Sequence, residues 1–599
     1  MKAPREDRAP FILLAGLVFG YVIARAILVP ITNDECTSFL AYAQPGTFLP
    51  FASMWDANNH YLSTALGMLG YRIMGFSWFA LRWASVLAFV AYAWGVWRMG
   101  SWSRHRAMRW TLWCALLLCP LLLDFFALYR GYAIALAGTL IGLEAVVRYT
   151  AHGERSAWRT ALIGLLVANL ALLAWISLWG LLLALLAIVA LKRWPKLSLS
   201  ERWSHLLWWV VAGAIPFTGM LALAIVQHRL GLLYHGSIAG FVPVTIGSLS
   251  AAVLGSDTLL VRIGIVLLFA CATAGAVRSL LRSGPGTPLV LVAGVLIAEL
   301  TVRILAALTI GLPYPEDRTG MHLVLLLIVL LAFAWDGLVI RDRRWLLLAL
   351  PLWYLPLRTM ATANAQRTVL WPEQSLPERF VYRARSMEQE LGRPVVVGTH
   401  RLAGHTWSLQ ARRCGFESDA SALDLFNDAH DLRVVDTRFL AEATPGFAVV
   451  DSVPANGLYL LLRETPLLPT RVAETRFSFD AADSEVIEVC TMDAHVLRYA
   501  QGLADVRGTL LSEVSLAEVR VTVVITDSAG TVLHNDLVFL GTRRERWSGE
   551  RWRILRPVPL LPSAHRLHFY FWDPCTRDYA VREGHLVLFH LPNADHIVP

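Results

Sequence analysis

Residues 319–340 read TGMHLVLLLIVLLAFAWDGLVI, with one acid, Asp336, and one histidine, His322. As a helix rising ~1.5 Å per residue this stretch covers about 33 Å, enough to cross the ~30 Å hydrocarbon core of a bilayer. The fold question is therefore how often such runs recur. Apolar stretches lie at 10–30, 78–98, 109–124, 131–148, 158–174, 177–192, 204–227, 258–278, 288–310 and 345–360, which with 319–340 gives about eleven transmembrane helices. Over all 599 residues, 56% are hydrophobic and only 16% charged, a balance suited to lipid rather than water as solvent. Residues 11–29 end at Pro30 without a small-residue cleavage site, so they read as a retained signal anchor. Residues 158–192 also fit one long helix. The basic flanks at both ends favour two crossings broken around 175–180.

The net charge of +8 invites a nucleic-acid partner, but its distribution removes that reading. Alternate connections between the apolar runs hold 19 Lys and Arg, among them Arg98, Arg104, Arg106, Lys192, Arg193 and Arg343, against 4 in the opposite set (Arg72, Arg130, Arg229 and Arg318). Basic loops stay in the cytoplasm. The asymmetry puts the N-terminus inside, and eleven crossings then put the C-terminal region outside. Pro351 and Pro356 make the last span the weakest, and its loss would return that region to the cytoplasm. The expected location is a bacterial inner (plasma) membrane.

After residue 360 the pattern changes. A helical segment at 377–391 is followed by strand-like runs at 394–398 (PVVVG), 447–450 and 458–462, implying a small α/β subdomain over 361–466. Short alternating strands then recur at 519–526, 531–540, 567–572 and 586–589, with a turn at 527–530. This spacing implies a β-sandwich, of jelly-roll type, over 467–599. Trp547, Trp552, Tyr570 and Trp572 either pack its core or offer a glycan-binding surface. Cys490 and Cys575 allow a disulfide in an extracytoplasmic compartment, while Cys114, Cys119 and Cys271 lie in apolar helices as small hydrophobes. No nucleotide-binding fingerprint or metal-ligand spacing occurs in the sequence, so no nucleotide cofactor is expected.

Chemistry concentrates in the outward loops. The first opens with residues 31–36, ITNDEC, whose adjacent carboxylates are Asp34 and Glu35, and continues to 55–61, WDANNHY, with Asp56 and His60. The second holds 128–132, LYRGY, with Arg130 and Tyr132, and a later one 314–319, YPEDRT, with Asp317 and Arg318. A carboxylate takes the proton of an attacking hydroxyl, and guanidinium groups stabilise charge on a departing phosphate. Asp56 and His60 are four apart, on one face if helical, where they would orient an acceptor or bind a divalent ion. The other reading is loop or cap hydrogen bonding. Glu144 with Arg148 and Glu299 with Arg303 are i,i+4 pairs that offset the cost of intramembrane charge, the second also standing as a candidate for a donor cavity.

Taken in order, the Asp34-Glu35 pair, the Asn58-Asn-His60 segment followed by 79–83 (FALRW), the Arg130-Gly-Tyr132 turn and the 315–318 turn (PEDR) resemble the GT-C class of membrane glycosyltransferases. The branch resembled contains aminoarabinose transferases and protein O-mannosyltransferases (glycosyltransferase family 39-like). The resemblance covers the first 360 residues and implies a GT-C catalytic domain there. It implies transfer, with inversion, of a sugar from a polyprenyl-phosphate donor to an extracytoplasmic glycan, lipid or protein acceptor. On it Asp34 is the general base with Glu35 its neighbour or alternate. Arg318 and Arg130 hold the donor phosphate, and Asp317 and Tyr132 are secondary. Metal dependence stays open, since the loop lacks the longer acidic motif of oligosaccharyltransferases. Two other classes compete: a transporter or flippase of lipid-linked sugars, and a non-catalytic, membrane-anchored glycan-binding protein.

Overall fold

The computed structural model describes residues 5–591 except 52, 54, 234, 401–402, 417, 419, 423–428, 498–500, 513–518, 541–549, 560, 562 and 575. Trp547 and the proposed Cys490–Cys575 pairing lie outside the described residues. The chain divides into two compact units, one of Met1–Val29 with Phe48–Leu370, the other of Pro30–Thr47 with Trp371–Pro599.

The first unit is helical. Eight helices among the described residues are long and apolar enough to cross a membrane: Glu6–Leu28, Trp78–Gly100, Gly131–His152, Leu173–Lys196, Leu199–Arg229, Leu259–Ser283, Pro288–Ile310 and Asp317–Val339. A ninth arises if the bent pair Arg106–Leu117 and Pro120–Ala127, angled at 49°, counts as one span. The protein is an integral membrane protein, and the sequence count of about eleven is not confirmed among the described residues. The expected span at 158–174 is the 17-residue helix Arg155–Ala171, and that at 345–360 is a 3₁₀ turn leading into the 13-residue helix Leu350–Thr362. These reach about 25 and 20 Å at ~1.5 Å per residue, shorter than the eight, although 17 residues is still within the range of ~17–25 that crosses a bilayer. The break in 158–192 falls at Leu172, before the 3₁₀ turn Leu173–Trp175.

Local chemistry sets the helix starts. Ser77, Thr258 and Thr287 each accept a hydrogen bond from the backbone N–H three residues on, and Pro288 occupies a first position where its missing N–H costs nothing. Gly131–His152 and Asp317–Val339 are buried along most of their length, whereas Leu260, Leu267 and Leu281 on Leu259–Ser283 point outward, as a lipid-facing surface allows. Charges inside the unit are paired. Glu144 meets Arg148 at 3.5 Å and also Arg98 at 3.2 Å from a neighbouring helix. Arg82 donates to the Val29 carbonyl at 2.7 Å, closing the C-terminal end of the first helix. Buried Asp124 pairs with Arg25 and accepts from Val369 N at 2.9 Å, while Arg25 reaches the Arg367 carbonyl at 2.9 Å. That network ties the end of the unit to its first helix.

The second unit contains two folded bodies. In the first, β1 (Val397–Thr399), β2 (Ala420–Ala422), β3 (Leu432–Asp436), β4 (Phe447–Val453) and β5 (Leu458–Arg463) form a sheet in the order β2-β1-β3-β5-β4. Its β1 pairs are parallel, and β5 runs antiparallel to both β3 and β4. Phe380, Val381 and Ala384 of the helix Glu378–Leu391, with Trp407 and Ala411 of Gly404–Arg413, pack on Val397, Val434 and Leu460. The second body is a β-sandwich of β6 (Thr470–Ala481), β7 (Val486–Asp493), β8 (Gly502–Leu511), β9 (Arg520–Thr526), β10 (Val532–Phe539), β11 (Glu550–Val558), β12 (Arg566–Trp572) and β13 (Tyr579–His590). Its antiparallel sheets, β10-β9-β12-β7 and β11-β8-β13-β6, enclose a core that includes Val506, Val523, Ile554, Phe569, Phe571 and Leu586. The period of two in β12 sends Leu567, Phe569 and Phe571 inward and leaves Tyr570 and Trp572 on the other face. Trp552 belongs to the core.

Candidate active site

The short helix Asn33–Ser38 carries Asp34 and Glu35 and belongs to the second unit, where Gln374 Oε1 accepts from Asn33 N at 2.9 Å. Its first turn is a capping box. Thr32 Oγ1 accepts from Glu35 N, and Glu35 Oε2 accepts from Thr32 N at 2.9 Å and from Thr32 Oγ1 at 3.1 Å. Glu35 is fully buried in this role, and Asp34, half-buried beside it, takes no part in the box. The two carboxylates that look equivalent in sequence therefore sit in different environments.

The other candidates lie in the first unit. Residues 55–60 form a turn rather than a helix: Asp56 Oδ1 accepts from Asn58 N at 2.8 Å, and Asp56 O accepts from Asn59 N at 3.2 Å. Such side-chain-to-backbone bonds compete with helix, so the spacing of four does not place Asp56 and His60 on one helical face. Among the described residues no group of three or more His, Cys, Asp and Glu is arranged to hold a metal ion.

His60, Arg130, Tyr132 and Arg318 do come together. Arg130, buried, precedes the helix Gly131–His152 and donates to the Asn58 carbonyl at 3.4 Å. The Tyr132 ring stands edge-on to His60 with centroids 5.3 Å apart. Gly131 is required for this approach, because a Cβ there would lie 1.9 Å from the Ala171 carbonyl oxygen and 3.0 Å from His60 Cβ. His60 itself is buried, and its Nε2 has no hydrogen-bond partner. Burial, then the nearby charges of Arg130 and Arg318, hold its imidazole well below the usual value of 6.5. The centre is thus two guanidinium charges around an uncharged imidazole.

Arg318 lies in the 3₁₀ turn Asp317–Gly320, which is held from three directions. Glu316 N donates to Thr319 Oγ1 at 2.8 Å, Asp317 N donates to Ser248 Oγ at 3.0 Å, and Trp175 Nε1 donates to the Thr319 carbonyl at 2.9 Å. Asp317 adopts φ 47°, a left-handed conformation that costs a non-glycine residue energy and persists where surrounding contacts impose it.

Sequence reasoning missed what supports this turn. Trp175 packs on His322 with centroids 5.0 Å apart, and His322 Nε2 meets Glu299 Oε1 at 3.0 Å. Glu299 also accepts from Ser177 Oγ at 2.8 Å and from Arg303 Nε at 2.8 Å. The expected Glu299–Arg303 pair is present as the base of a larger buried network. Its signal in the sequence was the lone His322 in an apolar run and Trp175 at the boundary of two others. One turn beyond Arg318, Leu323, Val324 and Leu327 line an apolar groove of about 210 Å³ shared with Leu249, Phe269, Leu296 and Leu352.

Fold and site together define a polytopic membrane protein with a cationic centre at helix ends and an attached α/β and β-sandwich unit. The chain matches no family model and no curated protein. Among solved structures it is similar to ArnT from Cupriavidus metallidurans bound to undecaprenyl phosphate, at 12% identity over 77% of this chain and 98% of that one, with TM-score 0.42. It is also similar to the arabinosyltransferase EmbB from Mycobacterium smegmatis, at 12% identity over 96% of this chain and 64% of that one, with TM-score 0.35. A third is the archaeal oligosaccharyltransferase AglB from Archaeoglobus fulgidus in complex with an inhibitory peptide and a dolichol-phosphate, at 11% identity over 73% and 70%, with TM-score 0.37. These likenesses assign no residue of this chain a role.

Proposed function

We propose that the protein is a GT-C-type glycosyltransferase that moves a sugar from a polyprenyl-phosphate donor to an extracytoplasmic acceptor with inversion. The observation that carries this reading is the convergence of Arg130 and Arg318 on buried, uncharged His60, with an apolar groove beginning one helical turn from Arg318. A phosphate needs the first and a polyprenyl chain the second. Planar guanidinium forks suit phosphate oxygens, and an apolar channel suits an isoprenoid tail.

In this reading the sequence resemblance, not a structural contact, gives Asp34 the part of accepting the proton of the acceptor hydroxyl as its oxygen attacks the anomeric carbon. The bond from that carbon to the phosphate oxygen breaks, and the electron pair leaves with the lipid phosphate, whose charge Arg130 and Arg318 stabilise. Nothing in this scheme draws on a nucleotide, and a divalent ion has no assigned part. The excess of basic residues in one set of loops supports a cytoplasmic N-terminus, and an odd number of crossings gives an extracytoplasmic C-terminal region in a bacterial plasma membrane.

Arg318 provides the test. Binding of undecaprenyl phosphate to the purified protein is expected to weaken about tenfold or more in Arg318→Ala and to be only partly restored in Arg318→Lys, which keeps the charge but loses the fork. Unchanged binding in folded Arg318→Ala would overturn the assignment.

A further inference from the structure

Two helices of the first unit face each other with the same spacing of bulk. Phe11, Ala15 and Phe19 lie on Glu6–Leu28, and Phe89, Ala93 and Trp97 on Trp78–Gly100. Residues four apart share a helical face, so each face reads large, small, large. The large ends meet across the pair: the rings of Phe11 and Trp97 have centroids 5.0 Å apart, and those of Phe19 and Phe89 stack at 6.1 Å. Between these contacts the alanines leave the space unfilled, and a groove of about 760 Å³ remains. Its mouth is made by the adjoining columns, Arg8, Ile12 and Gly16 on one helix and Val90, Trp94 and Arg98 on the other. Ile12, Val90 and Trp94 are exposed, and a Cβ added at Gly16 would meet no atom within 4 Å. The groove therefore opens outward from the helical unit, where lipid is the neighbour. From Arg8 to Phe19 the helix rises ~17 Å at ~1.5 Å per residue, close to one leaflet of a ~30 Å hydrocarbon core.

Charge is confined to one end of it. Arg8 is exposed, and Arg98 lies 3.2 Å from Glu144, a carboxylate that it shares with Arg148 at 3.5 Å. Asp7 is buried and engaged by Arg106 and Arg109 at 2.8 and 2.7 Å, while exposed Glu6 is two residues from Arg8 and so on another face. That end of the groove is net cationic, and the remainder is apolar. It is also remote from the Arg130–Arg318 centre. Asp336, which accepts from Ser103 Oγ at 2.7 Å and from Arg104 N at 3.0 Å just beyond Arg98, stands at the other end of Asp317–Val339 from Arg318. Residues 318 to 336 rise ~27 Å, so the two cationic sites are at opposite faces of the bilayer.

Guanidinium groups at headgroup depth over an apolar channel one leaflet long fit a phosphodiester and an acyl chain. A zwitterionic lipid brings the same chain but cancels its phosphate with its own ammonium. We propose that this groove binds an anionic diacyl phospholipid, such as phosphatidylglycerol, from the leaflet on the side of the N-terminus. The acyl chain fills the space in front of Ala15, Gly16 and Ala93, and Arg8 and Arg98 hold the phosphate. This site is separate from the one that the transfer reading assigns to the lipid-linked donor.

Full-length protein, delipidated in detergent, is mixed with equal amounts of phosphatidylglycerol and phosphatidylcholine of identical chains, and the lipid retained is read by native mass spectrometry. Phosphatidylglycerol should be retained about tenfold or more over phosphatidylcholine. Arg8→Gln should reduce its retention about fivefold, the scale of one arginine at a membrane surface. Gly16→Leu puts a side chain into the groove without meeting protein, so it should abolish retention while leaving the lipid-free thermal midpoint unchanged. Arg318→Ala should retain phosphatidylglycerol normally, which separates this result from failure of the transfer reading. Equal retention of the two lipids, or phosphatidylglycerol retention unaltered in Arg8→Gln and Gly16→Leu, would overturn the proposal. So would undecaprenyl phosphate displacing phosphatidylglycerol at equal concentration, or a dimer that Gly16→Leu dissociates, since the groove would then belong to the donor lipid or to a second copy of the chain.

Discussion

Replacing Glu35 and Asp34 one at a time separates two carboxylates that sequence alone leaves interchangeable. Glu35 is fully buried and accepts from both the backbone N and the hydroxyl of Thr32. Glu35→Ala removes the reciprocal half of the capping box, about 1 kcal/mol, and leaves the Thr32 N–H buried without an acceptor, a further ~1–3 kcal/mol. The expected loss is about 2–4 kcal/mol. Glu35→Gln keeps an acceptor oxygen in place and should cost about 1 kcal/mol, the difference between charged and neutral hydrogen bonds. Asp34→Asn leaves the box intact and should preserve stability while lowering turnover about 10²-fold or more, the scale of a lost general base. The assay pairs thermal unfolding in a fixed detergent with turnover of a polyprenyl-phosphate sugar. Folded Glu35→Gln protein as inactive as Asp34→Asn would refute the division of roles.

Three further outcomes follow from the first unit. His60 has its pKa depressed in the fold, so its stabilising contribution is complete above about pH 6.5 and is lost as pH falls below that value. The thermal midpoint of the wild type should therefore drop more steeply between pH 6.5 and 5 than that of His60→Gln, and parallel curves would refute it. Gly131→Ala drives a methyl group to within 1.9 Å of the Ala171 carbonyl and should destabilise by about 3 kcal/mol or prevent folding, read by size-exclusion chromatography in detergent. Trp175→Phe deletes the donor to the Thr319 carbonyl while keeping most of the packing; it should lower lipid-phosphate affinity several-fold by loosening the Arg318 turn, whereas an unchanged Kd would make that bond incidental.

What the sequence revealed tracks how local the cause is. Apolar length announces helices such as Pro288–Ile310, and period-two alternation announces β12, because each is decided within a few residues. The count of about eleven is left unconfirmed where an apolar run forms a short helix, at Arg155–Ala171 and Leu350–Thr362. In the candidate site, Arg130 and Arg318 were legible as cations in otherwise poorly basic loops. Of the two readings of Asp56 and His60, loop hydrogen bonding is the one seen, because an Asx turn, set by Asp56 and Asn58, overrides the helical spacing. The Trp175–His322–Glu299 network spans three helices distant in sequence, so no window of the chain contains it. Nor does any local feature announce that Pro30–Thr47 joins the second unit.

The helix Asn33–Ser38 is made early and completed late. Its packing partners in the second unit begin at Trp371, more than three hundred residues downstream. At ~5–20 residues per second, the ribosome needs roughly 15–70 s to supply them. During that interval the membrane helices can insert, yet the segment bearing Asp34 has no surface to fold on. A chain stopped after the last span would lack the partners of this helix, such as Gln374. Ordering of this segment therefore follows completion of the second unit rather than insertion of the membrane helices.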